Sequence, residues 1–149
     1  MASKQTLQLN YEFKSNLSAI YENVLDLKKF GAFHPHMTDV KIISDANQKE
    51  IEYEIFEEIY LFGFIKNHPH YNATVVEVEK GKHIRYVSQV KENMLLTIDF
   101  TFSENKENNT TKLSETIEVT CNKIMGSLFL PILKKAHIRL FEKMRLESH

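Results

Sequence analysis

The chain is poor in the residues that cross-link or interrupt a fold. Its 149 residues include one cysteine, three prolines, four glycines and no tryptophan. Because Cys121 has no partner in the chain, an internal disulfide is excluded, and a reducing, cytoplasmic compartment is expected. Linkers rich in proline or glycine are missing and no repeat is visible, so residues 1–149 are expected to form one domain.

Charge imbalance, long apolar runs and cofactor motifs are also missing. A formal net charge of −1 argues against a nucleic-acid-binding protein that neutralises phosphates. The longest apolar run, around Leu128–Leu133, is far short of the ~20 residues of a membrane span, so no integral membrane segment is expected. The N-terminus alternates and lacks the apolar stretch of a signal peptide. Without a phosphate loop, a dinucleotide glycine pattern or a Gly-x-Ser-x-Gly motif, no cofactor is expected.

What the chain does have is two kinds of periodicity. Apolar residues spaced by three and four over residues 121–149 predict a long C-terminal helix. Pro131 predicts a kink or a new helix start, and Gly126 a point of close approach or bending. Upstream, alternation predicts a strand at 7–13, two short helices that end at His34-Pro35, and six more strands. These strands are expected at 40–43, 49–62, 70–79, 83–91, 94–103 and 110–121.

This order predicts an α+β fold, in which a seven-stranded curved antiparallel sheet wraps around the C-terminal helix, with two short helices between strands 1 and 2. The element order and the closing-helix pattern Gly126-(x)4-Pro131-(x)4-Ala136 resemble the START-related, birch-pollen-allergen-like superfamily with the helix-grip fold. The most similar branch contains the bacterial polyketide cyclase/dehydrase-like and lipid-transport proteins. The resemblance implies an apolar cavity between sheet and helix that opens near the short helices. It does not name a ligand, because members bind lipids, quinones, hormones or polyketides.

Side chains on the inward faces are candidates for the cavity wall. We expect the wall to include Tyr53, Ile55, Val76, Leu96, Ile98, Ile117, Phe129, Leu133 and His137. Strand parity also places Glu57 and Glu115 inward, where a carboxylate is costly unless it is paired or protonated. Both acids are therefore candidate ligand-binding or catalytic residues, with Arg85 and Tyr53 as polar partners. The alternative is that a β-bulge returns each acid to solvent.

Four of the seven histidines lie in two copies of one tripeptide, His34-Pro35-His36 and His68-Pro69-His70. An antiparallel meander brings both copies to the same end of the sheet, at the predicted cavity mouth. Three interpretations stay open: loop histidines beside turn-shaping prolines, the polar rim of a ligand mouth, or a metal site. The spacing differs from that of known zinc motifs, so no metal is expected.

Three functions are compatible with these features. The favoured one is a carrier or sensor for a hydrophobic small molecule, such as a lipid, a quinone or a polyketide-like compound. The second is a cyclase, dehydratase or hydrolase that uses Glu115, Glu57 or a mouth histidine as general acid or base. The third is a co-chaperone-like interaction module with a filled cavity and an exposed apolar patch. The aromatic-rich segment Phe56–Phe64 predicts either an apolar edge for homodimerisation or a strand covered on both sides.

Overall fold

The computed structural model describes residues 2–47, 49–61, 63–91 and 93–148. Seven of its strands form one antiparallel sheet in the order β1-β9-β8-β7-β6-β3-β2, and β4 and β5 form a separate hairpin. The elements, in chain order, are β1 (Ala2–Phe13), α1 (Leu17–Leu25), α2 (Leu27–Phe33), β2 (Met37–Asn47), β3 (Glu50–Glu57), β4 (Ile59–Leu61), β5 (Ile65–Asn67), β6 (His70–Glu79), β7 (His83–Lys91), β8 (Met94–Asn105), β9 (Thr110–Asn122) and α3 (Lys123–Ser148). The predicted α+β fold is confirmed.

Strict alternation defines the two faces of the sheet. Every second side chain of β8 from Met94 to Phe102, and of β9 from Thr111 to Cys121, is buried against the helices. The intervening side chains face away from the core. Strand β1 completes one edge of the sheet by pairing with β9, from Ala2 opposite Asn122 to Phe13 opposite Thr111.

The two short helices follow from local capping. The Asn16 side chain accepts a hydrogen bond from the Ala19 amide at 3.1 Å and begins α1. The Asp26 side chain accepts one from the Lys28 amide at 3.0 Å and begins α2. Both caps satisfy amides that a helix start leaves free. Helix α2 ends before His34-Pro35, as predicted, because the residue that precedes a proline disfavours the α conformation.

Helix α3 lies across the inner face of the sheet. It buries the apolar side chains Leu133, Ala136, Leu140, Phe141 and Met144. The helix runs on through Pro131, so the predicted alternative of a new start there is wrong. Close approach at Gly126 is present, because a Cβ atom there would lie 2.6 Å from Gln5 Nε2. Across the described residues, no helix combines the length and apolar content that crossing a membrane requires.

The predicted single strand over 49–62 is divided in the structure. Strand β3 ends at Glu57, and the chain leaves the sheet to form the β4–β5 hairpin, whose turn contains Gly63 at φ +81°. Two backbone hydrogen bonds fix the exit point, from Glu57 N–H to the Pro69 carbonyl at 2.9 Å and from Glu58 N–H to the His36 carbonyl at 2.8 Å. Phe62, part of the predicted aromatic segment, lies outside the described residues.

Candidate functional site: a cavity between the sheet and the long helix

A cavity of about 380 Å³ lies between the inner face of the sheet, α2, the β4–β5 hairpin and α3. Most of its wall is apolar and includes Phe30, Ile55, Leu61, Leu96, Ile98, Met125, Leu128, Phe129 and Leu133. The polar part of the wall consists of His34, His36, Glu57, Asn67, His68, His70, Tyr71, Ser88 and His137. Small-molecule sites in proteins have this size and this mixture of a wide apolar wall with few polar groups.

The structure brings together most of the side chains predicted for the wall. Ile55, Leu96, Ile98, Phe129, Leu133 and His137 line the cavity. Tyr53 and Ile117 are buried on the same inner face, beyond the residues that line the cavity.

Val76 and Arg85 differ from the prediction. They face each other in the β6–β7 register, on the outer side of the sheet. There Arg85 Nε donates a hydrogen bond to Asp99 Oδ1 at 2.7 Å. Strand β6 has apolar residues of both parities, and burial shows that Ala73 and Val75 are the inward ones. The sequence could not decide between the two parities.

Both predicted inward acids lie on the inner face. Glu115 is fully buried and Glu57 nearly so. The β8–β9 register runs continuously from Leu95 opposite Thr120 to Asn105 opposite Thr110, so β9 keeps its parity through Glu115. The β3–β6 register is likewise continuous up to Phe56 opposite His70. The alternative in which bulges expose these acids is therefore wrong.

Two donors from different elements hold the Glu115 carboxylate. Its Oε1 accepts a hydrogen bond from the Tyr11 hydroxyl at 3.3 Å, and its Oε2 is bonded to His137 Nδ1 of α3. Burial and the neighbouring Glu115 carboxylate raise the pKa of Tyr11 far above its usual value, so this hydroxyl remains a donor. Because Nδ1 of His137 is engaged, Nε2 is the ring nitrogen that remains for a molecule in the cavity.

His34 extends this polar cluster. Its ring packs edge-on against His137, with 5.8 Å between ring centroids. Its Nδ1 accepts a hydrogen bond from the His36 amide at 3.1 Å, which places the proton of the neutral ring on Nε2. Burial, with smaller contributions from His137 and His36, lowers the pKa of His34 well below its usual value. His34 is therefore a neutral hydrogen-bond donor at neutral pH.

Glu57 and Tyr71 form a second polar pair in the wall. The Tyr71 hydroxyl donates to Glu57 Oε2, across neighbouring strands of the sheet. Burial raises the pKa of Glu57, although the Tyr71 hydrogen bond and the nearby His137 oppose the shift. Burial and the Glu57 charge also raise the pKa of Tyr71 well above its usual value. Burial thus shifts the ionisation equilibrium of both side chains toward their neutral forms.

The two His-Pro-His segments meet at the end of β3, and all four histidines line the cavity. They do not share one environment. His34 is buried, whereas His68 is exposed, and His70 stacks on Phe56 and bonds to Glu54 Oε2 at 2.7 Å. In the part of the chain that the structure describes, no three His, Cys, Asp or Glu side chains are arranged to hold a metal ion.

Sequence reasoning missed several members of the site. The hairpin residues Ile59, Leu61 and Asn67 line the cavity. The sequence pattern assigns the first two to the end of a long strand and places Asn67 in a break between strands. Tyr71 shares the inward parity of Ala73 and Val75, which the sequence left undecided for β6. Glu115 and His137 were predicted separately, and their pairing was not.

Comparison with known proteins supports the fold. No family model and no curated protein matches the sequence. The chain matches the di-domain aromatase/cyclase StfQ of the steffimycin biosynthetic pathway with a TM-score of 0.76 at 10% identity, over 97% of this chain and 50% of that chain. It thus spans about half of that protein. The Zhui aromatase/cyclase from Streptomyces sp. R1128 matches with a TM-score of 0.77 at 9% identity, over 98% of this chain and 94% of that chain.

A START superfamily protein from Mycobacterium smegmatis has the same architecture. Its TM-score is 0.74 at 12% identity, and the match covers 96% of both chains. Identities this low show the fold alone. The chain has the helix-grip fold of START-related proteins and polyketide aromatase/cyclases, which confirms the resemblance seen in its sequence.

Proposed function

We propose that residues 1–149 form one domain that binds a hydrophobic small molecule between the sheet and α3 and acts as a carrier or sensor. The observation that supports this function best is the cavity of about 380 Å³ with a largely apolar wall. Protein interiors are normally close-packed, so a space of this size indicates a ligand site rather than a packing defect. We further propose a reducing, cytoplasmic setting, in keeping with the unpaired, buried Cys121.

The polar groups of the wall suggest the chemistry of the ligand. His34 offers an Nε2 proton, and Glu57, whose pKa burial raises, adds carboxyl oxygens. His137 adds its Nε2 atom. These groups complement a carbonyl, carboxyl or phenolic oxygen. The proposed ligand is therefore an apolar molecule with one oxygen-bearing group placed near His137, as in a fatty acid, a quinone or a polyketide-like compound.

Ligand binding can be tested by two routes, one of which requires no candidate ligand. Native mass spectrometry of freshly purified protein should show a co-purified apolar molecule. An apolar fluorescent probe should bind at about one per chain and be displaced by a fatty acid. Leu133→Trp places a larger side chain in the cavity and should abolish probe binding. Ile138→Trp changes the outer face of the same helix and is the matched control, because Ile138 lies away from the cavity.

Two results would contradict the carrier function. One is probe binding that Leu133→Trp leaves unchanged in a folded protein. The other is a purified protein that carries no small molecule and binds no apolar probe. The third function predicted from the sequence, an interaction module, requires a filled cavity, and the cavity volume favours a small-molecule binder over it.

The pairing of Glu115 with His137 supports a second candidate, an enzyme that moves a proton on a cavity-bound carbonyl compound. A carboxylate that holds Nδ1 orients an imidazole so that Nε2 can act as general base. The neutral His34 ring could then donate its Nε2 proton to the carbonyl oxygen. In deuterated buffer, the wild type should exchange the acidic C–H protons of a bound carbonyl ligand. His137→Gln should retain binding and lose exchange, whereas equal exchange in both proteins would contradict catalysis.

A further inference from the structure

Large apolar side chains are exposed around the mouth of the cavity. Four residues of the cavity wall are also exposed and mark its mouth: Asn67, His68, His70 and Leu128. We use the name mouth rim for the exposed side chains Phe64, Ile65, Ile124 and Leu128. Phe64 and Ile124 are each 76% exposed. A cluster of large, exposed apolar side chains indicates an interaction surface.

The mouth rim has two arms that border the same opening. One arm is the β4–β5 hairpin, which also supplies Leu61 and Asn67 to the cavity wall. The other is the first part of α3, which also supplies Met125 and Leu128. Ile124 lies one turn before Leu128 and therefore on the same side of the helix. A flat apolar surface that covered the mouth would contact both arms at once.

The charge of α3 indicates the kind of surface that fits. The helix contains six basic and two acidic residues, a net charge of +4, whereas the whole chain has −1. The rest of the chain therefore carries −5. Five of the basic side chains are exposed, namely Lys123, Lys134, Lys135, Arg139 and Lys143. Arg139 lies close enough to the cavity residue His36 to lower its pKa, after burial, by its charge.

We propose that the mouth rim and the basic face of α3 dock on an anionic lipid bilayer, with the cavity opening toward the acyl chains. Apolar side chains flanked by lysine and arginine are suited to the boundary between headgroups and hydrocarbon. A second copy of this chain fits less well. Two-fold contact through the mouth rims would bring two positively charged helices close together, and like charges repel.

Vesicle co-sedimentation tests the docking surface directly. Vesicles of phosphatidylcholine with phosphatidylserine should bind the wild type, and vesicles of phosphatidylcholine alone should bind it several-fold less. High salt should weaken the binding to anionic vesicles, because it screens exposed charges. Lys134→Gln and Lys135→Gln should each lower partition about fivefold. Lys112→Gln, an exposed change on β9, should leave partition unchanged.

The apolar contribution has a matched control on the same helix. Ile124→Ser and Phe64→Ser should lower vesicle binding, whereas Leu146→Ser should not, although Leu146 is 78% exposed near the other end of α3. An equal loss in Ile124→Ser and Leu146→Ser would overturn the proposal. So would a wild type that stays in the supernatant with anionic vesicles. Light scattering that shows a dimer, broken by Ile124→Ser, would assign the mouth rim to a second copy instead.

Docking by the mouth rim is separable from ligand binding. Leu133→Trp changes the interior of the cavity and leaves the mouth rim in place, so it should lose probe binding and keep vesicle binding. Loss of vesicle binding in a folded Leu133→Trp protein would contradict docking by exposed side chains. Vesicle binding by the wild type without any probe binding would contradict the carrier function and leave the docking surface intact.

Discussion

His137 Nδ1 and Glu115 Oε2 are bonded to each other inside the protein, one on α3 and the other on β9. Both side chains are excluded from solvent. The contact therefore joins the long helix to the sheet and at the same time orients a ring that lines the cavity. Its loss should affect the stability of the fold as well as the chemistry of the site.

Truncation of one partner of this buried pair should be costly. His137→Ala leaves the Glu115 carboxylate without its imidazole, and we expect a loss of about 3–5 kcal/mol in the free energy of unfolding. Replacement of both residues by leucine should recover a large part of the loss, because no buried charge then remains. Urea unfolding of the single and the double variant measures the loss and the recovery. Equal losses in the single and double variants would contradict this account.

The outer face offers a matched control for that experiment. His83 Nε2 lies 2.6 Å from Asp99 Oδ1 in a similar histidine–carboxylate contact, but both side chains are partly exposed. Exposed pairs contribute little because solvent screens them. His83→Ala should therefore cost less than about 1 kcal/mol.

Acid should destabilise the protein through His34. Burial keeps the pKa of folded His34 well below 6.5, the ordinary value that the unfolded chain retains. Below pH 6.5 the unfolded state therefore binds more protons, and stability falls as the pH falls. His34→Asn keeps an acceptor for the His36 amide and should flatten the decline of the urea midpoint between pH 7 and pH 5. The exposed change His68→Asn should leave the decline as it is in the wild type.

Glu57 should make the stability depend on pH in the opposite direction to His34. Burial raises the pKa of folded Glu57 above the ordinary value of 4.5, so the unfolded state releases its proton first and stability falls as the pH rises through this window. Glu57→Gln keeps an acceptor for Tyr71 and removes the ionisation. We expect a gain of about 1 kcal/mol, or about 3 °C in Tm, at pH 8. The gain should vanish near pH 4, and a gain of equal size at both pH values would refute the ionisation argument.

The packing of α3 can be checked with two substitutions on the same helix. Phe141 is fully buried, and its ring lies 4.4 Å from that of Tyr11 between centroids. Phe141→Asp should lower the free energy of unfolding by several kcal/mol, because it buries a carboxylate without a partner. Leu146→Asp, at an exposed position, should change it by less than about 0.5 kcal/mol. Similar thermal stability of both variants would show that this face of α3 is not packed on the sheet.

The sequence predicted the fold best where one periodicity dominated. Strands β8 and β9 alternate without interruption, and the inward parity of Glu115 followed directly from that pattern. The two faces of β6 both carry apolar residues, and Val76 was assigned to the wrong one. The hairpin β4–β5 was missed because its residues alternate like the strand before them. The backbone bonds from Glu57 and Glu58 that end β3 are made with distant residues.

The site was predictable residue by residue but not as an arrangement. Parity identified Glu115, and helical spacing placed His137 on the inner side of α3. Their contact depends on the rotation of α3 and on its height above β9. Packing between residues far apart in the sequence determines both, so the local sequence pattern does not predict the contact. The same holds for Tyr11, whose bond to Glu115 requires the β1–β9 register.

The pairing of β1 with β9 also constrains how the chain reaches this structure. Residues 2–13 pair only with residues 111–122. The addition of β1 to the edge of the sheet therefore joins segments separated by about a hundred residues of sequence. On the ribosome, β1 is made well before its partner β9, and α3 is made after β9. Such non-local pairing slows folding and leaves strand edges exposed in the meantime. Most of the sheet can assemble during synthesis, but the cavity can be enclosed only when α3 has left the ribosome.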